Sequence, residues 1–390
     1  MDGIRTLKKL LPLALVAAGS SLGITGCGTV QATGQATGEA QARAGSAEAG
    51  APPIDAALVT PAFGWVLTAD RLLLTRDGGA TFTDAMPPVP QSRTRAAFFR
   101  DDRNGYVTAS TGNAIATART SDGGRTWRIR TALDASAPTA YYGRLRMSFG
   151  DASHGVVLAQ TSTSAMSSEA TLFATEDGGN SWSARTAPAA GEVTVEPGGR
   201  TWLAGGTADD ELHASSDAGR HWSRTKLHVN GAVETKAVSP PVDGVLPVTV
   251  VTTSDTTEVA LLTTSDRGHT WREAKRVPVH GRTGPGVRVP VVSGESGPLV
   301  LDTAGGHAYR VAGRRDAMAG SRVADIRPSG LPEGGHTVTL ATGRRSGWAL
   351  ATYGRCTDGK TGCTLYNPLM ATTDGGATWH RLRLWQERLN

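Results

Sequence analysis

The stretch TSDGGRTW, Thr120–Trp127, decides how this chain is read. Versions of it recur as TRDGGATF from Thr75, TEDGGNSW from Thr175, SSDAGRHW from Ser215, TSDRGHTW from Thr264 and TTDGGATW from Thr372. All six share the pattern Ser/Thr-x-Asp-x-Gly-x-x-aromatic. Their aspartates are Asp77, Asp122, Asp177, Asp217, Asp266 and Asp374, with gaps of 45, 55, 40, 49 and 108 residues. The last gap is about twice the others, so one unit between Asp266 and Asp374 is expected to have lost its copy. The stretches GVRVPVV, GPLVLDTAGG and HAYRVAG in that interval read as strands with a turn.

Each unit reads as four short strands. In the second unit, AAFF, GYVTAS, AIATART and TWRIRTA are separated by turn clusters, and no segment carries helical periodicity. Four strands at a period of roughly 40 to 50 residues indicate an all-β chain: a single β-propeller of four-stranded antiparallel blades. Seven blades are expected, with six as the alternative count.

The octapeptide itself is a turn. An aspartate accepts bonds from nearby backbone N–H groups, a glycine permits positive φ, and the closing aromatic supplies buried area to the next strand. Six equivalent copies also argue against catalysis, because an active site is normally built once. The motif resembles the Asp-box, or BNR repeat, of sialidases, sortilin-type receptors and some xyloglucanases. A second pattern, Phe-x-Asp-x-x-x-Gly, occurs in FRDDRNGY from Phe99 and FGDASHGV from Phe149, with partial copies at Phe63 and Ser346. The two patterns together resemble propellers similar to the photosystem II assembly and stability factor and to sortilin-type domains, with sialidases more distant. The resemblance implies that each octapeptide joins the third and fourth strands of a blade.

Arg5, Lys8 and Lys9 precede the apolar run LLPLALVAA, followed by SLGITGC ending at Cys27. A charged start, a short apolar core and small residues make a secretory signal. The ending resembles the lipobox of bacterial lipoproteins, which implies cleavage before Cys27 and lipidation of its thiol. Residues 1–26 are therefore expected to be a lipoprotein signal peptide. Residues 27–53, rich in Gly, Ala, Thr and Gln, form the lipidated cysteine and a flexible linker. Residues 54–390 form the propeller. The expected location is extracytoplasmic, anchored to the cell membrane, with the lipid at Cys27 as the membrane partner. In that compartment the two remaining cysteines, Cys356 and Cys363 of CTDGKTGC, are expected to form a disulfide. A metal site there would need about four ligands, and no histidine lies within ten residues.

The net charge is +5, and the basic residues are scattered along the sequence, so nucleic acid is not an expected partner. In each blade the turns 1–2 and 3–4 share one face, and the 2–3 loops share the other with the connections between blades. From the glycine opening strand two to the octapeptide aspartate is 13 residues at Gly64, 17 at Gly105, 22 at Gly155 and 27 at Gly347. The spare length thus falls in the 2–3 segments 161–170 and 353–368, and the long connections 134–144 and 314–335 reach the same face. Insertions gathered on one face mark a binding face. Tyr141, Tyr142, Arg144, Tyr353, Arg355 and Lys360 are its candidate contacts, as aromatics and arginines dominate interface energetics.

Two functions compete. One is a non-catalytic binding or assembly scaffold for a protein or a cell-surface glycan, acting as a monomer without cofactor or metal. The alternative is a sialidase-like exo-glycoside hydrolase, whose family uses an arginine triad, a Tyr–Glu pair and an acidic Asp. The Arg-Ile-Pro signature of that family does not occur, and IRPSG from Ile326 has the wrong order. Tyr141 or Tyr142 could serve as nucleophile, yet no glutamate lies near in sequence. Most glycosidases need two placed carboxylates, and the sequence nominates no such pair. Within residues 54–390, HExxH, GxSxG and a phosphate-binding glycine loop are also missing.

Overall fold

The computed structural model describes residues 50–90, 92, 94–110, 114–134, 142–164, 167–205, 209–241, 244–254, 256–278, 299–302, 307–310, 324–332, 336–339, 345–356 and 362–389. Among these described residues all regular elements are strands, arranged as consecutive antiparallel meanders. Six sheets have four strands, matching the smaller of the two expected blade counts. The first blade is Pro53–Leu58, Gly64–Thr68, Leu72–Thr75 and Thr83–Asp84, and the second is Arg95–Phe99, Gly105–Ser110, Ala114–Thr120 and Arg128–Asp134. The third runs from Tyr142 to Ala187, the fourth from Gly191 to Lys226, the fifth from Ala232 to Pro278, and the C-terminal blade from His336 to Leu389. In the interval without an octapeptide, Leu299–Asp302, His307–Arg310 and Ala324–Ile326 form a three-stranded sheet. The stretch GVRVPVV and Cys27 lie outside the described residues.

Every octapeptide sits between strands three and four of a four-stranded blade and forms one bonding pattern. The hydroxyl of the first residue is buried. It donates to the aspartate Oδ1 at 2.7–2.8 Å and accepts the N–H of the second glycine at 2.8–2.9 Å. The seventh residue returns its N–H to Oδ1 at 2.9–3.0 Å. Its hydroxyl donates to Oδ2 at 2.5–2.6 Å, and where the residue is His221 the ring Nδ1 stands 2.6 Å from Oδ2.

The two glycine positions have separate tasks. The first donates its N–H to a carbonyl in the 1–2 turn of the same blade: Gly78 to Ala62, Gly123 to Arg103, Gly178 to Ser153 and Gly375 to Arg345, at 2.7–2.8 Å. In the fourth and fifth blades Ala218 and Arg267 hold this position at φ of 58° and 60°, a conformation costing an L-residue about 1 kcal/mol or more. The second glycine faces the preceding blade. A Cβ on Gly124 would stand 2.8 Å from Leu74, one on Gly219 2.4 Å from Leu172, and one on Gly268 2.4 Å from Trp202. On Gly79 it would stand 2.5 Å from Leu382 of the C-terminal blade, so the same contact closes the ring. Around that closure, Ala56, Leu58, Val66 and Leu73 share one apolar cluster with Trp348, Leu369, Ala371 and Trp385.

The Phe-x-Asp-x-x-x-Gly pattern is the 1–2 turn. Phe99 is paired across the strands with Gly105, and Phe149 with Gly155. Each ring lies over its glycine so closely that a Cβ would come within 2.3 Å. Asp101 then accepts the N–H groups of Arg103 and Asn104. Asp151 accepts those of Ser153 and His154, and also Gly198 N–H of the next blade at 2.8 Å.

These bonds hold the turn aspartates well below the usual carboxylate range. For Asp77, Asp122, Asp266 and Asp374 the largest cause is the hydroxyl bond from the seventh-position threonine. For Asp217 it is the backbone N–H of His221. In Asp177 burial opposes the shift, and the bonds from Ser181 and Thr175 overcome it. A carboxyl with a depressed folded pKa contributes stability above its unfolded value, about 3.9, and loses it as pH falls through the folded value. Urea unfolding should therefore give a constant stability above about pH 5 and a steep decline below about pH 4. An Asp122→Asn variant should be less stable at neutral pH and lose less on acidification. An unchanged acid slope would contradict the assignment.

Candidate functional site

The first strands of successive blades lie against one another and line the central axis. Their opening residues stand at the end shared with the 2–3 connections. Most of these strands are small or apolar, as burial between neighbouring blades requires, yet RAAFF, YGRLRMSF, GEVTV and AVETKAV each carry charge. The charges meet at the seams between blades. Arg146 of the third blade donates through Nε to both oxygens of Glu192 of the fourth, at 3.0 and 2.9 Å, and Arg144 donates to the same carboxylate at 3.2 Å. Lys236 of the fifth blade donates to the carbonyl of Asp209 at 2.8 Å and pairs with its carboxylate, which stands in the 2–3 connection of the fourth blade. His213 lies beside this pair, and burial, reinforced by Lys236, lowers its pKa.

Arg95, at the seam of the first and second blades, is treated differently. It is 4% exposed, and one NH2 donates to Pro90 O at 3.1 Å. Its Nε and the other terminal nitrogen are buried without a partner among the described residues, as is the second terminal nitrogen of Arg146. Burial pulls the Arg95 pKa down while Asp70, in the 2–3 turn of the first blade, opposes it. The wall thus holds arginine donors in excess of its own acceptors. Glu192 and Asp209 are already committed to cations, while Asp55 and Glu234, on the first strands of the first and fifth blades, are in no ion pair among the described residues.

The spare length of the third and C-terminal blades is strand, not irregular loop. Pairing continues to Ser164↔Ser167 in the third blade and to Cys356↔Cys363 in the C-terminal one. A hairpin extension satisfies its own backbone groups, which an irregular loop of the same length does not. Both arms project on the face carrying Arg144 and Glu192. On the C-terminal arm Tyr353 stacks on Tyr366 across the strands, with ring centroids 5.1 Å apart and planes 12° apart.

Of the six expected contacts, Arg144 and Tyr353 stand on this face as described. Tyr142 does not: it is fully buried, edge-on to Phe173 at 6.5 Å in the cluster of Leu145, Val157 and Ile115 between the second and third blades. An irregularity between Gln160 and Thr161 shifts the strand register there, which turns the ring inward. Tyr141, Lys360 and the Arg355 side chain lie outside the described residues. The sequence reading missed Arg95, Arg146, Glu192, Lys236 and Asp209. The available signal was a charge inside a first strand whose neighbours are small and apolar. Among the described residues no three His, Cys, Asp or Glu side chains gather as a metal site would require.

No protein-family profile matches the chain, and no curated protein matches it in sequence. Solved structures do resemble it. YCF48 bound to D1 peptide is 14% identical, with a TM-score of 0.41 over 85% of this chain and 80% of that one. The GH74 xyloglucanase of Xanthomonas campestris is 18% identical, with a TM-score of 0.44 over 73% of this chain and 44% of that one. The NanB sialidase of Streptococcus pneumoniae is 12% identical, with a TM-score of 0.40 over 66% and 64%. At these values the function has to be read from this chain's own side chains.

The seam charges make a graded expectation. Glu192→Gln leaves two arginines facing a neutral amide and should cost about 1–3 kcal/mol in urea unfolding. Arg144→Ala, at the exposed end of the pair, should cost less than about 1 kcal/mol. Equal costs would show that the wall does not depend on Arg146–Glu192.

Proposed function

We propose that this protein is a membrane-tethered, extracytoplasmic binding propeller without catalytic activity. Its ligand is a protein segment or a glycan carrying a carboxylate, received on the face with the two hairpin arms. The supporting observation is the surplus of arginine donors on the channel wall beneath those arms: Arg95 and Arg146 keep unpaired buried N–H groups, and Arg144 stands exposed above them. An unmade bond to a buried guanidinium is costly, and a carboxylate presents the acceptor geometry that an arginine fork matches.

Hydrolysis of sialosides is disfavoured by the same geometry. Tyr142 is buried in a blade seam, and Glu192 is held by two arginines rather than placed to activate a tyrosine. Purified full chain should therefore give no turnover of a fluorogenic sialoside. It should capture a partner from membranes by crosslinking, and Arg144→Ala/Arg146→Ala should lose that capture. Turnover abolished by Tyr142→Phe would reverse the ranking.

The tether and the arm extend the proposal. Lipidation at Cys27 would fix the protein to the membrane, with residues 27–53 as the linker. A disulfide between Cys356 and Cys363, which face each other across the hairpin, would close the arm tip. Cys27→Ser should move the protein to the soluble fraction after a high-salt wash. Thiol counting on denatured protein with Cys27→Ser should find no free thiol until reductant is added. Retention at the membrane, or two free thiols, would refute the respective point.

A further inference from the structure

Along the sequence the basic residues look dispersed, but the fold collects many of them. The fourth strand is the outermost edge of each four-stranded blade. The six fourth strands together contain eleven arginines and lysines against four aspartates and glutamates, a net of +7 where the whole chain carries +5. The remainder of the protein is therefore slightly acidic, and the positive charge is a property of its rim. Charge on edge strands also blocks edge-to-edge pairing, but that task is met by either sign and does not account for a single one.

The rim is not uniform. The first blade contributes only Thr83–Asp84 and no cation. In the fourth and fifth blades part of the charge is neutralised, Arg224 by Glu211 and Arg276 by Glu258 and Glu273. The second blade differs. Arg125, Arg128 and Arg130 are exposed there, and Ile129 between the last two is 39% exposed, the one large hydrophobic side chain exposed to that degree among the described residues. A lone exposed isoleucine is ordinary. Along the strand Ile129 projects from the sheet face opposite to Arg128 and Arg130, so a surface that meets this outermost strand edge-on would receive the guanidiniums at its phosphates on one side of the edge and the isoleucine at the headgroup boundary on the other.

We infer that the outer edge of the second blade, Arg125 to Arg130, docks on an anionic bilayer surface, with Ile129 inserted at the headgroup boundary. The polymer alternative, a soluble polyanion wound along the rim, would engage the fourth strands of all the basic blades alike. The charge that coincides with an exposed apolar side chain lies on one blade only. That blade is the neighbour of the one into which the linker at residue 53 leads, so a tether at Cys27 would leave this edge within reach of the membrane. The inference adds an orientation to the tethered reading and does not need the lipid. Docked in this way, the propeller stands with its channel axis along the membrane plane and both of its faces open to a ligand.

The test uses the full chain with Cys27→Ser, so that no lipid contributes, in flotation with vesicles of phosphatidylcholine alone or mixed with phosphatidylglycerol. Binding to the mixed vesicles at low salt is expected, with none to phosphatidylcholine. It should be lost at about 1 M salt, where the screening length is about 3 Å. Arg128→Gln/Arg130→Gln should weaken it by about fivefold per charge removed, while Arg272→Gln/Arg381→Gln, on edges facing elsewhere, should leave most of it. Ile129→Ser should weaken binding and leave the salt dependence. All variants are on exposed strand positions, and an unchanged urea midpoint certifies the fold. Equal binding to both vesicles, or no binding, would overturn the inference. Equal losses in the two double variants, or binding to heparin without binding to the mixed vesicles, would overturn it too and assign the rim to a soluble polyanion.

Discussion

The structure depends on one hydrogen-bonded constraint, the closed ring formed by the first hydroxyl, the aspartate and the seventh residue of each octapeptide. It satisfies a buried hydroxyl and several backbone N–H groups that a strand-to-strand corner would otherwise leave unmade. It also presents a glycine with no Cβ to the neighbouring blade. Leu74, Leu172 and Trp202 come closer to that glycine than any side chain there would permit. A local turn therefore sets the distance between blades. Because Gly79 meets Leu382 and Trp348 in the same manner, the first and last blades join by the contact used elsewhere.

With the corners fixed in this way, variation is confined to the other face and to the rim. The 2–3 segments of the third and C-terminal blades lengthen into paired arms without disturbing the corners, since added strand residues bring their own bonding partners. Buried charge on the inner strands is met at two seams by a neighbouring blade, through Glu192 for Arg146 and Asp209 for Lys236. Arg95 has no such counterpart, and its Nε and one terminal nitrogen stay buried without a partner among the described residues.

The octapeptides were legible because everything they do is local. Six copies give the turn chemistry, the position of strands three and four, and the four-stranded units. The Phe-x-Asp-x-x-x-Gly pattern was equally readable, and its cause is the ring of Phe99 or Phe149 lying over a glycine. The candidate site was readable only in outline. Loop lengths located the face and both arms, and Arg144 and Tyr353 stand on it. Tyr142 was misplaced because a register irregularity at Gln160/Thr161, invisible in composition, reverses the direction of one ring. Arg146 and Glu192 are 46 residues apart, and no short-range pattern links them.

The sequence by itself determined the fold class, the strand-turn-strand corners and the face on which length accumulates, because these follow from residue type and spacing within a few tens of residues. The tertiary structure alone decided which charges face each other across blade seams, which guanidiniums remain unpaired, and that dispersed arginines form a rim of one sign. Those properties arise when strands from different repeats are brought to the same radius of the ring, and a linear chain carries no measure of radius.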